Sequence, residues 1–199
     1  GFTPDWKVGE GLPPSANRLL QAFGLRDRFR VDGHLPSYGN RSVWGAPQPA
    51  DLDFITSPYG CGWHLDRTRF DHMLAAAAAE AGAKVRTGVR VVSAHRSPGG
   101  GWSLGLAAEG GALTSYLQAD FVVDATGRRA WFARAAGAHR ESYDRLVGFA
   151  CLLESDSADD VDSLTLIEAI SEGWWYTALL PGGRRMAVFM TDGDLPAAK

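Results

Sequence analysis

At 199 residues, with 45% hydrophobic and 22% charged side chains, the chain has the size and balance of a soluble globular protein with a sizeable core. A formal net charge of −3 supplies no basic excess to neutralise phosphates, which argues against a nucleic-acid partner. Cys61 and Cys151 are the only cysteines, and no signal peptide, lipidation motif or apolar span of membrane length occurs, so a cytoplasmic protein with reduced thiols and no membrane partner is expected.

In chain order, PPSANRLLQAFG (13–24) reads as a helix opened by proline and closed by Gly24, with Leu19, Leu20 and Phe23 as its apolar stripe. Residues 26–62 carry scattered glycine and proline and are expected to be irregular, with two short strands at SVWGA and LDFIT. DRTRFDHMLAAAAAEAG (66–82) is a strong helix: Asp66 suits the N-cap, Phe70, Met73, Leu74 and Ala78 share a face, and Gly82 ends it. KVRTGVRVVSAHR, GWSLGLAA and TSYLQA follow as an antiparallel meander with turns at 98–101 and 109–112. FVVDATGRRA (121–130) reads as a buried strand ending in a polar turn, and a short helix to Gly137 comes next. After residue 143 the composition turns sheet-rich: a strand at RLVGFACLLES, an acidic loop at DSADDVD, a strand or helix at LTLIEAIS, and a hairpin over 173–194 turning at Gly182-Gly183.

Several motifs are absent. GCGWHL (60–65) supplies only half of a G-x-G-x-x-G and follows no apolar strand, and no P-loop, H-E-x-x-H or C-x-x-C occurs. The single Cys/His pair in CGWH gives no zinc set, so no metal is expected. The five histidines are scattered and read as surface or core residues.

Four stretches carry a resemblance: KVGEGLPPS (7–15), GWHLDRTRFDHML (62–74), FVVDATGRRA (121–130) and GWWYTALLPGGRRMAVFM (173–190). In this order they resemble the FAD-dependent monooxygenase superfamily with the para-hydroxybenzoate hydroxylase-type fold, nearest its tryptophan-halogenase-like branch. The resemblance covers nearly the whole chain. It implies an α/β fold, α+β in parts: an incomplete FAD/NAD(P)-binding three-layer domain over 1–142, and part of a mainly antiparallel substrate-binding sheet over 143–199. It implies FAD as cofactor, approached by the turn at Glu10 and Gly11, by Arg67 at the phosphate or ribose, by the strand backbone at Val91, and by the turn Asp124-Ala125-Thr126-Gly127. Trp44, Trp174 and Tyr176 fall on the substrate side. No residue receives a catalytic role.

Local chemistry offers plainer readings of the same residues. Arg67 can pair with Asp71 one helical turn on, Asp124 can be a turn or cap residue, and Glu10 can cap the following helix. Trp174 and Trp175 point to opposite faces of a strand, so at most one of them faces a pocket.

The family's N-terminal pyrophosphate fingerprint and its later Gly-Asp motif are not among these residues. The sequence therefore reads as an interior segment, with apolar surface exposed and tight FAD retention not expected of it alone. Flavin-dependent halogenases rely on a lysine after the Gly-Glu turn. Here none lies between 8 and 83, and an arginine such as Arg41 is not interchangeable with a reactive lysine. The reading is a segment of a monooxygenase that hydroxylates an aromatic or indole-like small molecule through a flavin hydroperoxide, with a flavin reductase or NAD(P)H as electron donor. A flavin-dependent halogenase, a reductase of the geranylgeranyl-reductase type, and a catalytically silent fragment or interaction module are the alternatives.

Overall fold

The computed structural model describes residues 6–154 and 163–198, and the acidic loop expected at 156–162 lies outside them. Its contacts divide the chain into a larger unit, Gly1–Ala83 with Asp144–Lys199, and a smaller one, Lys84–Tyr143.

The larger unit begins with β1 (Gly11–Leu12), α1 (Ala16–Ala22) and α2 (Arg26–Val31). Next come β2 (Leu35–Ser37), β3 (Gly39–Val43), β4 (Ala50–Asp53), β5 (Gly62–His64) and α3 (Arg67–Glu80). The irregular stretch expected over 26–62 is thus a helix and four strands. Phe29 alone anchors α2, and one buried ring in six residues makes a weak periodic signal. α1 also departs from expectation. Only Leu20 is buried, while Leu19 and Phe23 are 59% and 72% exposed, because a seven-residue helix covers a single core position here. α3 forms as its sequence requires. Asp66 Oδ1 accepts from the backbone N–H groups of Thr68 and Arg69 at 3.0 and 3.1 Å, satisfying two donors of the first turn. Leu20, Phe29, Leu65 and Met73 close a core against Leu12, Leu25, Trp63 and Phe70.

The smaller unit is the expected meander: β6 (Val89–Arg96), β7 (Trp102–Ala108) and β8 (Leu113–Ala119), with β7 central. Leu104, Leu106 and Ala107 form its buried centre. α4 (Trp131–Ala135) follows, setting Phe132 edge-on to Trp102 at 4.6 Å, while Arg96 lies over the same indole at 4.1 Å. The buried strand expected at 121–124 is absent. Phe121 and Val123 are 82% and 79% exposed, and no described strand pairs with this run. An apolar run becomes a strand only where a neighbour takes its backbone hydrogen bonds. Exposed apolar surface was expected, and these two side chains are among it.

The chain re-enters the larger unit through β9 (Leu146–Glu154), β10 (Thr165–Ile170), β11 (Gly173–Leu180) and β12 (Arg184–Asp192). They join β3 and β4 in a six-stranded sheet ordered β4-β3-β10-β11-β12-β9, with β3 and β10 parallel and every other pair antiparallel. A second sheet, β1-β5-β2, is antiparallel. The hairpin pairs Leu180 with Arg184 across Pro181-Gly182-Gly183, as its turn glycines indicate. Strand alternation gives the six-stranded sheet one face carrying Trp174, Tyr176, Met186 and Val188. On that face Leu180, Met186 and Val188 pack with Trp6, Leu152 and Tyr176. The result is a mixed α/β fold. Among the described residues no helix is long and apolar enough to cross a membrane.

Candidate functional site

The Gly-Glu turn is built from the inside. Glu10 is 1% exposed, and its Oε2 accepts from the Gly9 N–H at 2.9 Å. The carboxylate therefore points into the protein and caps no helix, since α1 has no side-chain cap. Arg67, projecting from the first turn of α3, donates from Nη1 to the carbonyls of Val8 and Gly9 at 3.1 and 2.9 Å, and from Nη2 to Asp71 at 3.3 Å. Both the Asp71 pairing and a place beside the Gly-Glu turn are thus realised in one side chain. Gly9 has φ +97°, a backbone conformation that favours glycine, and the only atom a Cβ there would meet within 4 Å is Arg67 Nη1 at 2.8 Å. Lys7 also bonds Asp71, at 2.7 Å. Burial would raise the Asp71 carboxyl, but Lys7 and Arg67 together hold it below the usual range. Lys7 and Arg67 thus stand with two carboxylates, Asp71 and the buried Glu10, beside the exposed main chain of Gly9 and Gly11.

Behind this turn lies a cavity of about 280 Å³. Leu12, Phe54, Trp63 and Ile167 give it apolar walls, and Ser37, Asn40, His64, Thr165 and Tyr176 supply polar groups. β5 brings His64 and β10 brings Thr165 to a contact of 3.0 Å between Nε2 and Oγ1. His64 is 1% exposed, and burial holds its imidazole below the ordinary value despite the Leu179 backbone and Glu10, so the ring is neutral near pH 7. Tyr176 is held far above the usual tyrosine value, first by burial and then by Glu10, with Thr165 acting in the opposite sense. Its hydroxyl stays protonated.

Glu10, Gly11, Arg67 and Tyr176 are therefore neighbours in one unit. Trp174, two residues before Tyr176 and on the same face, has its ring 6.3 Å from Trp44, outside the cavity lining. Trp175 turns to the opposite face and packs on Phe189 at 4.9 Å. His64 and Thr165 were not singled out from the sequence. GCGWHL was set aside as an incomplete fingerprint, and nothing local reports that a histidine meets a threonine 101 positions away.

In the smaller unit the Asp124–Gly127 turn satisfies itself. Asp124 Oδ1 accepts from the Thr126 N–H at 3.0 Å and from the Thr126 hydroxyl at 2.6 Å, while Oδ2 accepts from the Ala133 N–H at 2.9 Å. Thr126 Oγ1 in turn accepts from the Trp131 N–H at 2.9 Å. The two side chains together cap α4, which is the turn-and-cap reading of Asp124. Thr126 and then the backbone donors hold the Asp124 carboxyl below its usual value. Ala125 and Gly127 are exposed, and Gly127, at φ +63°, has open space where a Cβ would stand. Val91 lies on β6 at an irregularity in its pairing with β7.

The sequence pattern described as tryptophan halogenase matches residues 32–190, most of the chain. The chain belongs to the tryptophan halogenase family. Among its relatives in this wider flavoenzyme group is LodB of Marinomonas mediterranea, named as an FAD-dependent oxidoreductase. It is 28% identical over 95% of this chain and 51% of its own length. The chain thus spans about half the length of that relative. Among solved structures, the myxobacterial chondrochloren halogenase CndH, an FAD-dependent halogenase, superposes with a TM-score of 0.84 at 23% identity, over 99% of this chain and 47% of that one. The peptidyl tryptophan dihydroxylase QhpG superposes with a TM-score of 0.63 at 26% identity, over 96% of this chain and 40% of that one. Within this family the Gly-Glu turn and the cavity behind it are the candidate site of this chain.

Proposed function

We propose that the chain is part of an FAD-dependent monooxygenase that hydroxylates a small aromatic or indole-like molecule. The observation that carries this reading is the cavity beside the Gly-Glu turn, which is walled by Trp63 and Phe54 and has neither lysine nor arginine in its lining.

The residues present fit FAD. The main chain of Gly9 and Gly11, with Glu10 holding the turn from inside, offers close approach, and the φ of +97° at Gly9 favours glycine there. Arg67 keeps a buried Nε without a hydrogen-bond partner, and its guanidinium, at the exposed main chain of Val8 and Gly9, is suited to a phosphate or ribose. In the smaller unit, taken by itself, the open main chain at Ala125 and Gly127, the turn held by Asp124 and Thr126, and the backbone at Val91 are the proposed contacts. Bound FAD supplies the oxygen chemistry, and a flavin reductase or NAD(P)H supplies its electrons. The protein's share is to bind the ring against Trp63 and Phe54, with Trp174 and Trp44 farther out, to orient it at Tyr176, and to exclude water.

Halogenation is the second reading, favoured by the family description and by the likeness to CndH. Against it stands the lack of any lysine between 8 and 83. Arg41, in that stretch, is held by Asp51 in a two-pronged pair at 2.8 Å in each arm. QhpG, described as a peptidyl tryptophan dihydroxylase, supports hydroxylation. The test supplies reduced FAD, isotope-labelled dioxygen, chloride and indole to the protein, and reads the products by mass spectrometry. A product carrying labelled oxygen and no chlorine is expected. A chlorinated product would move the assignment to halogenation.

A further inference from the structure

Trp63 also lines a second cavity, of about 530 Å³, formed within the larger unit by α1, α2 and the loop 58–61. Three arginines line it: Arg18 from α1, and Arg26 and Arg30, one helical turn apart on α2. None of the residues lining it is acidic. Asp27, the carboxylate nearest in sequence, lines a different groove with Arg28 and Val31. The partners of the three guanidinium groups are neutral. Arg18 Nη1 donates to the Tyr59 hydroxyl at 3.4 Å, and Arg26 Nη1 donates to Gln21 Oε1 at 3.3 Å. Both bonds are long for charged donors, so each group keeps donors for a stronger acceptor. Arg30 has no hydrogen bond or ion pair among the described residues.

The walls of this cleft are tied together. Asn17 Nδ2 donates to the carbonyls of Tyr59 and Cys61 at 2.8 and 2.9 Å, and its Oδ1 accepts from Trp63 Nε1 at 2.8 Å. One amide thus joins the loop, α1 and Trp63, and a ligand would find the cleft already formed. Cys61 brings no negative charge, because burial pushes its thiol up. Tyr59, whose oxygen accepts from Arg18, keeps its own proton to give. Its ring and Pro58 offer apolar surface beside the arginines.

We infer that this cleft binds the phosphate group of a small molecule, at a site separate from the cavity behind the Gly-Glu turn. A phosphate dianion presents three acceptor oxygens, which suits donors arriving from three arginines. A carboxylate has two oxygens and one charge, and a single guanidinium fork satisfies it.

The test follows the Trp63 indole N–H by nuclear magnetic resonance in protein labelled with nitrogen-15 at tryptophan, the signal being assigned with Trp63→Phe. Phenyl phosphate is expected to shift that signal saturably, and benzoate to bind at least about tenfold more weakly. Arg26→Gln and Arg30→Gln should each weaken phenyl phosphate about tenfold, the loss of one charge-assisted hydrogen bond. Arg67→Gln, which removes the guanidinium at the Gly-Glu turn, should leave the affinity of the cleft unchanged. Inorganic phosphate separates the two sources of this chemistry. Tighter binding of phenyl phosphate supports a phosphate ester as ligand, and equal binding supports free phosphate. No shift of Trp63 with either phosphate, benzoate binding as tight as phenyl phosphate, or undiminished affinity in both α2 variants would each overturn the inference. Loss of the shift in folded Arg67→Gln would overturn it as well, by moving the phosphate to the Gly-Glu turn. Melting curves establish that the variants fold, and if they do not, the comparison of benzoate with phenyl phosphate on the unaltered protein decides.

Discussion

Phe29→Ala is expected to lower the stability of the larger unit by about 3–5 kcal/mol. Phe29 is 1% exposed at the centre of a ring cluster, 4.6 Å from His34, 5.1 Å from Trp63 and 6.0 Å from Phe70. Removing it forfeits the transfer free energy of the ring and leaves a void between α1, α2 and α3 that rigid neighbours cannot fill. Trp63 is the link to function. One side of its indole meets Phe29, its Nε1 donates to Asn17 Oδ1 at 2.8 Å, and the residue also lines the cavity. Chemical denaturation should report the loss, with indole binding weakened in the same variant. A change below about 1 kcal/mol would show that the cluster is not the core described here.

Gly173→Ala is the second large effect, at roughly 2–5 kcal/mol from backbone strain and overpacking combined. Gly173 opens β11 at φ +157°, and a Cβ there would be driven into the carbonyl oxygen of Met190, against the ring of Phe189. Backbone lies in the way, so no side chain can swing aside. β11 would have to shift against β12, where Trp174 pairs with Met190 and Tyr176 with Val188. Denaturation of the variant measures the cost. If Gly173→Ala unfolds with the same midpoint as the unaltered protein, the register of this hairpin is wrong.

Features written into a few consecutive residues were legible in the sequence. Asp66 two and three positions ahead of free N–H groups is a cap in any context, and α3 follows from it. The 173–192 hairpin is likewise announced by two apolar runs about a double glycine. Residues 121–124 show the opposite case. Phe-Val-Val has the composition of a buried strand, but burial depends on a neighbour, and neighbours are not encoded locally. The site divides in the same way. The Gly-Glu turn and Tyr176 were identified through family resemblance, and their placement side by side follows from the order β10-β11 in one sheet and β1-β5 in another. His64 and Thr165 had no such signal, because their meaning arises only where β5 meets β10. Arg67 combines both kinds of information: its Asp71 pair is visible as helical spacing, and its grip on Val8 and Gly9 is not.

The central claim, that this chain contributes to a flavin site, is tested most directly by titrating the protein with FAD and following flavin fluorescence. Saturable quenching, accompanied by a shift of the flavin absorbance bands, is the expected result. A strictly linear response, identical to that of FAD in buffer, would contradict it.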